Sequence, residues 1–81
     1  MKIWRLSKSE CDNTLLFTWE RLYADPLLAG KELLEQYTVR FKQYNNDAII
    51  AEYHPATGAN LVLKDGRRWT WAIDLVEVAE K

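Results

Sequence analysis

The chain carries one thiol, Cys11, and one imidazole, His54. Nucleophilic catalysis needs a nucleophile, a base that activates it and a group that orients the base. Cys11 stands near the start of a segment with helical period, where a helix N-terminus lowers a thiol pKa. The same period places it on an apolar stripe, as a small buried hydrophobe. His54 precedes Pro55 at the mouth of a turn, an exposed position. Nothing in the spacing brings the two together. One Cys and one His do not complete a structural zinc site. Asp65-Gly66 matches a fragment of a calcium loop whose other ligands are missing. Gly30, Gly58 and Gly66 stand singly, so there is no glycine-rich phosphate cradle. The carboxylates are scattered, and Glu32 and Glu35 read as a solvated helix side. No catalytic residue, metal ligand or cofactor is assigned, and the chain reads as non-enzymatic.

The second chemistry to weigh is base stacking. Arg67 and Arg68 precede Trp69 and Trp71, and a basic-aromatic strand of this kind suits single-stranded nucleic acid. This alternative requires the two indoles to face solvent. Residues two apart on a strand share a face, and these indoles share theirs with the apolar residues Leu61, Leu63 and Ile73. The sequence therefore favours tryptophans in the core.

Composition limits the remaining classes. Eighty-one residues make one domain, 1–81. Leu, Ile, Val and Phe number 21 of the 81 residues, enough for a core. Eleven basic and twelve acidic residues give a net charge of −1, which excludes a strongly basic DNA-coating protein and an acidic solvating tail. A lone cysteine rules out an internal disulfide framework and fits a reducing cytoplasm. Met1–Leu6 is not followed by the apolar run of about 7–15 residues that a secretory signal needs. No apolar run exceeds four residues, so no membrane span is expected.

The hydrophobic period changes near residue 36. Before it, a helix over about 10–24 places Cys11, Leu15, Trp19, Leu22 and Tyr23 in one stripe, with Ser9 as N-cap. Phe17 falls on the polar side of that helix and is unexplained. Leu15-Leu16-Phe17-Thr18-Trp19 also has high β-propensity, so 14–19 reads as helix or strand. Asp25-Pro26 starts another short helix, with Asp as cap and Pro at its first position. Leu27, Leu28, Leu33 and Leu34 give that helix an apolar side.

After residue 36 the period is two. Strands are expected over 37–42, 48–54, 60–63 and 67–75, joined by turns at Asn45-Asn46-Asp47, Pro55–Gly58 and Lys64-Asp65-Gly66. The apolar candidates Tyr37, Val39, Phe41, Ile49, Ala51, Tyr53, Leu61, Leu63, Trp69, Trp71 and Ile73 are all odd-numbered. Opposed residues of an antiparallel pair share a face, so their numbers must sum to an even constant. Loops with an odd number of residues meet this condition. They pair Val39 with Tyr53, Tyr53 with Leu61, and Leu61 with Trp69, with Gly66 left-handed in the last turn.

The expected fold is therefore α+β. An N-terminal strand over 2–6, at the sheet edge, and one or two short helices pack on one face of a C-terminal antiparallel meander of about four strands. A small SH3-like barrel is the alternative. The even-numbered sheet face stays in water, with Arg40, Ile50, Glu52, Val62 and Arg68 as candidate binding residues. A few apolar side chains inside a charged ring suit a protein contact. The expected role is a cytoplasmic protein-interaction domain acting as subunit, adaptor or inhibitor for a protein partner. A free strand edge also permits a homodimer.

Overall fold

A computed structural model describes residues 2–12 and 14–77. It has five strands and one long helix: β1 (Lys2–Asp12), β2 (Leu15–Tyr23), α1 (Pro26–Tyr44), β3 (Ala48–His54), β4 (Gly58–Leu63) and β5 (Arg68–Glu77). The strands form one antiparallel sheet in the order β2-β1-β5-β4-β3. The helix lies on one face and the other face is uncovered. This is a small α+β domain with a β-meander.

The core is the layer between α1 and the sheet. Ala29 and Leu33 of the helix, Leu6 of β1, Ala59, Leu61 and Leu63 of β4, and Trp69 and Trp71 of β5 are buried. The odd positions of β4 and β5 thus turn inward, with both indoles only 2% exposed. Leu61 opposes Trp69, as the parity of the apolar residues requires. Gly66 has φ 96 in the turn that joins these strands. The β3–β4 register differs by two from expectation. Ala51, not Tyr53, opposes Leu61, and the turn is Pro55–Thr57. A shift of two preserves facing, so Tyr53 still points toward the helix.

Four further expectations are corrected. The segment read as a helix over 10–24 is the end of β1 and the whole of β2. In β2 the residues Leu15, Phe17, Trp19, Arg21 and Tyr23 share the helix-facing side, which puts Phe17 in line with Trp19 and Tyr23 but leaves it 53% exposed beyond the helix. The β-propensity of the Leu-Leu-Phe-Thr-Trp run prevails because β1 supplies a partner over nine residue pairs.

The segment read as a strand over 37–42 is the second half of α1. The helix starts as expected, with the Asp25 carboxylate accepting from the Leu27 N–H at 2.9 Å and Pro26 in the first turn. It then runs on for 19 residues. The short alternation from Tyr37 to Lys42 is real, but Leu33, Gln36, Tyr37, Arg40 and Tyr44 also recur at the helical spacing of three and four. That longer pattern finds the sheet. Val39 therefore cannot pair with Tyr53, and it is 60% exposed.

The N-terminal strand is eleven residues long and lies between β2 and β5, not at the sheet edge. Ile49 also leaves the expected core. A bulge between Ala48 and Ile50 turns it out, to 61% exposure.

The molecule is a plate of 48 × 25 × 14 Å with a radius of gyration of 13.7 Å. A compact chain of this length would have about 12 Å. One helix cannot cover five strands, and large apolar residues are left in water on β2, on the outside of α1 and on the open sheet face.

Candidate functional site

The uncovered face is assembled from alternate residues of all five strands. Strand register sets them in rows. One row runs Leu16, Cys11, Arg68, Val62, Ile50 from the β2 edge to the β3 edge. The next runs Thr18, Ser9, Thr70, Asn60, Glu52, and a third runs Glu20, Ser7, Ala72, Gly58, His54. Arg5 and Asp74 stand opposite each other beyond these rows and pair at 3.4 Å.

The first row is apolar apart from its central Arg68. Leu16 is 65% and Ile50 39% exposed, while Cys11 and Val62 are half-buried by their strand neighbours. Arg68 is exposed. The second row is small and polar, and the Thr70 hydroxyl donates to Asn60 Oδ1 at 3.3 Å. Ser7, Ser9, Thr18, Glu20, Thr70 and Ala72 line a shallow basin of about 600 Å³ on this face. Small side chains keep the face flat there. A partner surface can approach the strands closely without displacing bulk.

Of the five residues assigned to a water-facing sheet surface, Ile50, Glu52, Val62 and Arg68 are on it. Arg40 is not. It belongs to α1, on the other side of the sheet, with its guanidinium 5.7 Å from the centre of the Trp69 ring. The strand reading of 37–42 placed it wrongly. The helix reading of 10–24, with an N-terminal strand that stops at residue 6, hid half of the true face. Ser7, Ser9 and Cys11 lie on it because β1 runs on to Asp12, and Leu16 and Thr18 because 15–23 is strand; the β-rich run around Phe17 is the signal for the second.

The basic-aromatic patch is split by strand alternation. Arg67 sits on the helix side, 4.7 Å from the Tyr44 ring centre, with its Nε 2.8 Å from Asp65 Oδ2. Arg68 and Thr70 point to the open face, while Trp69 and Trp71 are buried toward the helix. The two indoles have no face to offer a base. Cys11 and His54 share the open face but lie on β1 and β3, with β5 and β4 between them. At about 4.8 Å per strand the lateral offset alone is roughly 14 Å, so they do not form a nucleophile–base pair. Cys11 is half-buried on a strand, not enclosed in a helix stripe. No group of three metal-ligating side chains occurs among the described residues.

The two perturbed carboxylates lie at turns. The backbone N–H groups of Leu15 and Thr14 donate to the Asp12 carboxylate, at 2.9 and 3.3 Å, and hold its pKa below the usual aspartate value. The Arg67 N–H does the same for Asp65, at 3.0 Å, assisted by the Arg67 side chain. Burial raises the Tyr37 phenol. All three serve the fold, and none lies on the open face. No helix among the described residues is long and apolar enough to cross a membrane. No protein-family model, curated protein or solved structure matches this chain.

Proposed function

We propose that this chain is a small non-enzymatic protein-interaction domain, a subunit, adaptor or inhibitor, that binds its partner through the open face of the sheet. The observation that carries this reading is the row Leu16–Cys11–Arg68–Val62–Ile50 beside a flat polar row. Arginine flanked by apolar side chains is enriched at the centres of protein interfaces, and small polar residues supply the hydrogen-bonding margin. The partner surface that fits is apolar with a carboxylate opposite Arg68. A cytoplasmic setting accords with the single unpaired thiol on this face.

Affinity capture from native lysate, with and without nuclease, tests the proposal when wild type is compared with Arg68→Glu and Val62→Asp. Lys42→Glu, on α1, is the control. The expected result is a protein partner that survives nuclease, is kept by Lys42→Glu and is lost with both face variants. Retention by both face variants refutes this surface. Loss of all captured material on nuclease treatment would instead favour a nucleic-acid ligand.

A further inference from the structure

The two edges of the sheet are built differently. The β3 edge is interrupted by the bulge between Ala48 and Ile50 and carries Glu52 and His54. Bulges and charges of this kind block strand addition. The β2 edge has no bulge. Its nine residues pair with β1 in unbroken register, and nine residues present about 30 Å of regular strand edge. Leu15, Leu16, Phe17 and Leu22 on this strand are each more than half exposed. Its only charges, Glu20 and Arg21, are adjacent and point to opposite faces.

A second copy of the same strand fits this edge. In an antiparallel pair about a two-fold axis normal to the sheet, each residue opposes one of like parity, and the two numbers sum to a constant. A sum of 40 sets Glu20 against its own copy, and a sum of 42 does the same for Arg21. Both place like charges across the axis. A sum of 38 pairs all nine residues. It sets Trp19 against Trp19, Thr18 against Glu20, Phe17 against Arg21, Leu16 against Leu22 and Leu15 against Tyr23. Lower sums leave part of the strand unpaired, and 36, the nearest of them, sets Leu16 against Glu20. In the full register every exposed apolar side chain of β2 gains an apolar, aromatic or cation–π partner, and no like charges meet.

We propose that the β2 edge is a homodimer interface, in which two copies pair antiparallel about Trp19 to form a continuous ten-stranded sheet. The two open faces then lie side by side, and Leu16 and Leu22 close the seam between them.

Sedimentation of the purified chain over a concentration series tests this, with wild type expected near twice the 9.5 kDa chain mass. Charge substitutions read the register. Phe17→Arg would face Arg21 of the second copy, and Thr18→Glu would face Glu20. Each should raise the dimer dissociation constant at least tenfold. Phe17→Glu and Thr18→Lys put opposite charges at the same two places and should keep the dimer. Within one copy Phe17 opposes Glu10 of β1. So Phe17→Arg strengthens the hairpin and Phe17→Glu weakens it, the reverse of their effects on association. A misfolded variant is thereby distinguished from a dissociated one. A monomeric wild type up to about millimolar concentration, or a dimer indifferent to the sign of charge at 17 and 18, overturns the proposal.

Discussion

The indole N–H of Trp71 donates to Gln36 Oε1 at 3.0 Å, and the Gln36 amide passes the contact on to Glu32 Oε1 at 3.1 Å. This chain of hydrogen bonds ties β5 to the middle of α1. Trp69, two residues earlier and equally buried, has an indole N–H with no hydrogen-bond partner among the described residues. A buried donor without an acceptor costs about 1–3 kcal/mol. Its aromatic ring is held by stacking on Tyr44 at 5.1 Å and by Arg40 above it.

The two tryptophans should therefore respond differently to loss of the indole nitrogen. Trp71→Phe removes packing and strands the Gln36 amide. Trp69→Phe removes similar packing but also relieves an orphan donor. We expect Trp71→Phe to destabilise the domain by about 1 kcal/mol or more beyond Trp69→Phe. Urea denaturation followed by circular dichroism measures the difference. Equal losses would mean that the Trp71–Gln36 bond contributes nothing net.

Gly58 opens β4 with φ +154, and a Cβ placed there would run into the carbonyl of Trp71. Backbone from β5 occupies the space, so no side-chain movement relieves the clash. Gly58→Ala should cost about 2 kcal/mol or more, well above the change expected for an exposed site. A thermal melt compared with Leu27→Ala, at a position 79% exposed, gives the contrast. A Gly58→Ala melt as high as that of Leu27→Ala would show that the strands separate there at little cost.

Acid sensitivity follows from the turn carboxylates. Backbone N–H donors hold Asp12 and Asp65 below the ordinary value of 3.8. A carboxylate depressed in the folded state stabilises fully above its unfolded pKa and loses that contribution as pH falls through the folded one. The β1–β2 and β4–β5 turns should loosen only below about pH 4. Asp12→Asn and Asp65→Asn should flatten the acid limb of the stability curve. NMR titration of the two carboxyl carbons checks the assignment, and midpoints at or above 3.8 would contradict it.

Much of the C-terminal half was legible because it obeys one rule. Leu61, Leu63, Trp69 and Trp71 are odd-numbered, apolar and buried together, and the turn at Gly66 delivers Leu61 opposite Trp69. The start of α1 was legible in Asp25-Pro26 for a similarly local reason. The errors fall where two periods coexist in a short window. Tyr37–Lys42 alternates like a strand, yet Tyr37, Arg40 and Tyr44 form a helix stripe that docks on Tyr53, Trp69 and Trp71. Leu15–Tyr23 spaces apolar residues like a helix, yet only a strand reading lines Phe17 up with Trp19 and Tyr23. In each case the deciding term is the tertiary partner, β5 for one and β1 for the other, which no local window contains. The open face was half legible because it mixes β4 and β5, read correctly, with β1 and β2, which were not.

Arg40 and Arg68 turn this correction into an experiment. Both were candidates for a single surface, and they lie on opposite sides of the sheet. Arg40→Glu removes a cation from above the Trp69 ring and sets a carboxylate against it, so it should shift tryptophan emission and lower stability by about 0.5–2 kcal/mol. It should leave partner capture through the open face intact. Arg68→Glu touches no aromatic ring, and an exposed strand position of this kind should change stability by less than about 0.5 kcal/mol. If the open face is the binding surface, Arg68→Glu should abolish capture. Fluorescence and capture measured on both variants separate the two roles. Loss of partner in Arg40→Glu with capture intact in Arg68→Glu would move the interface to the helical side of the sheet.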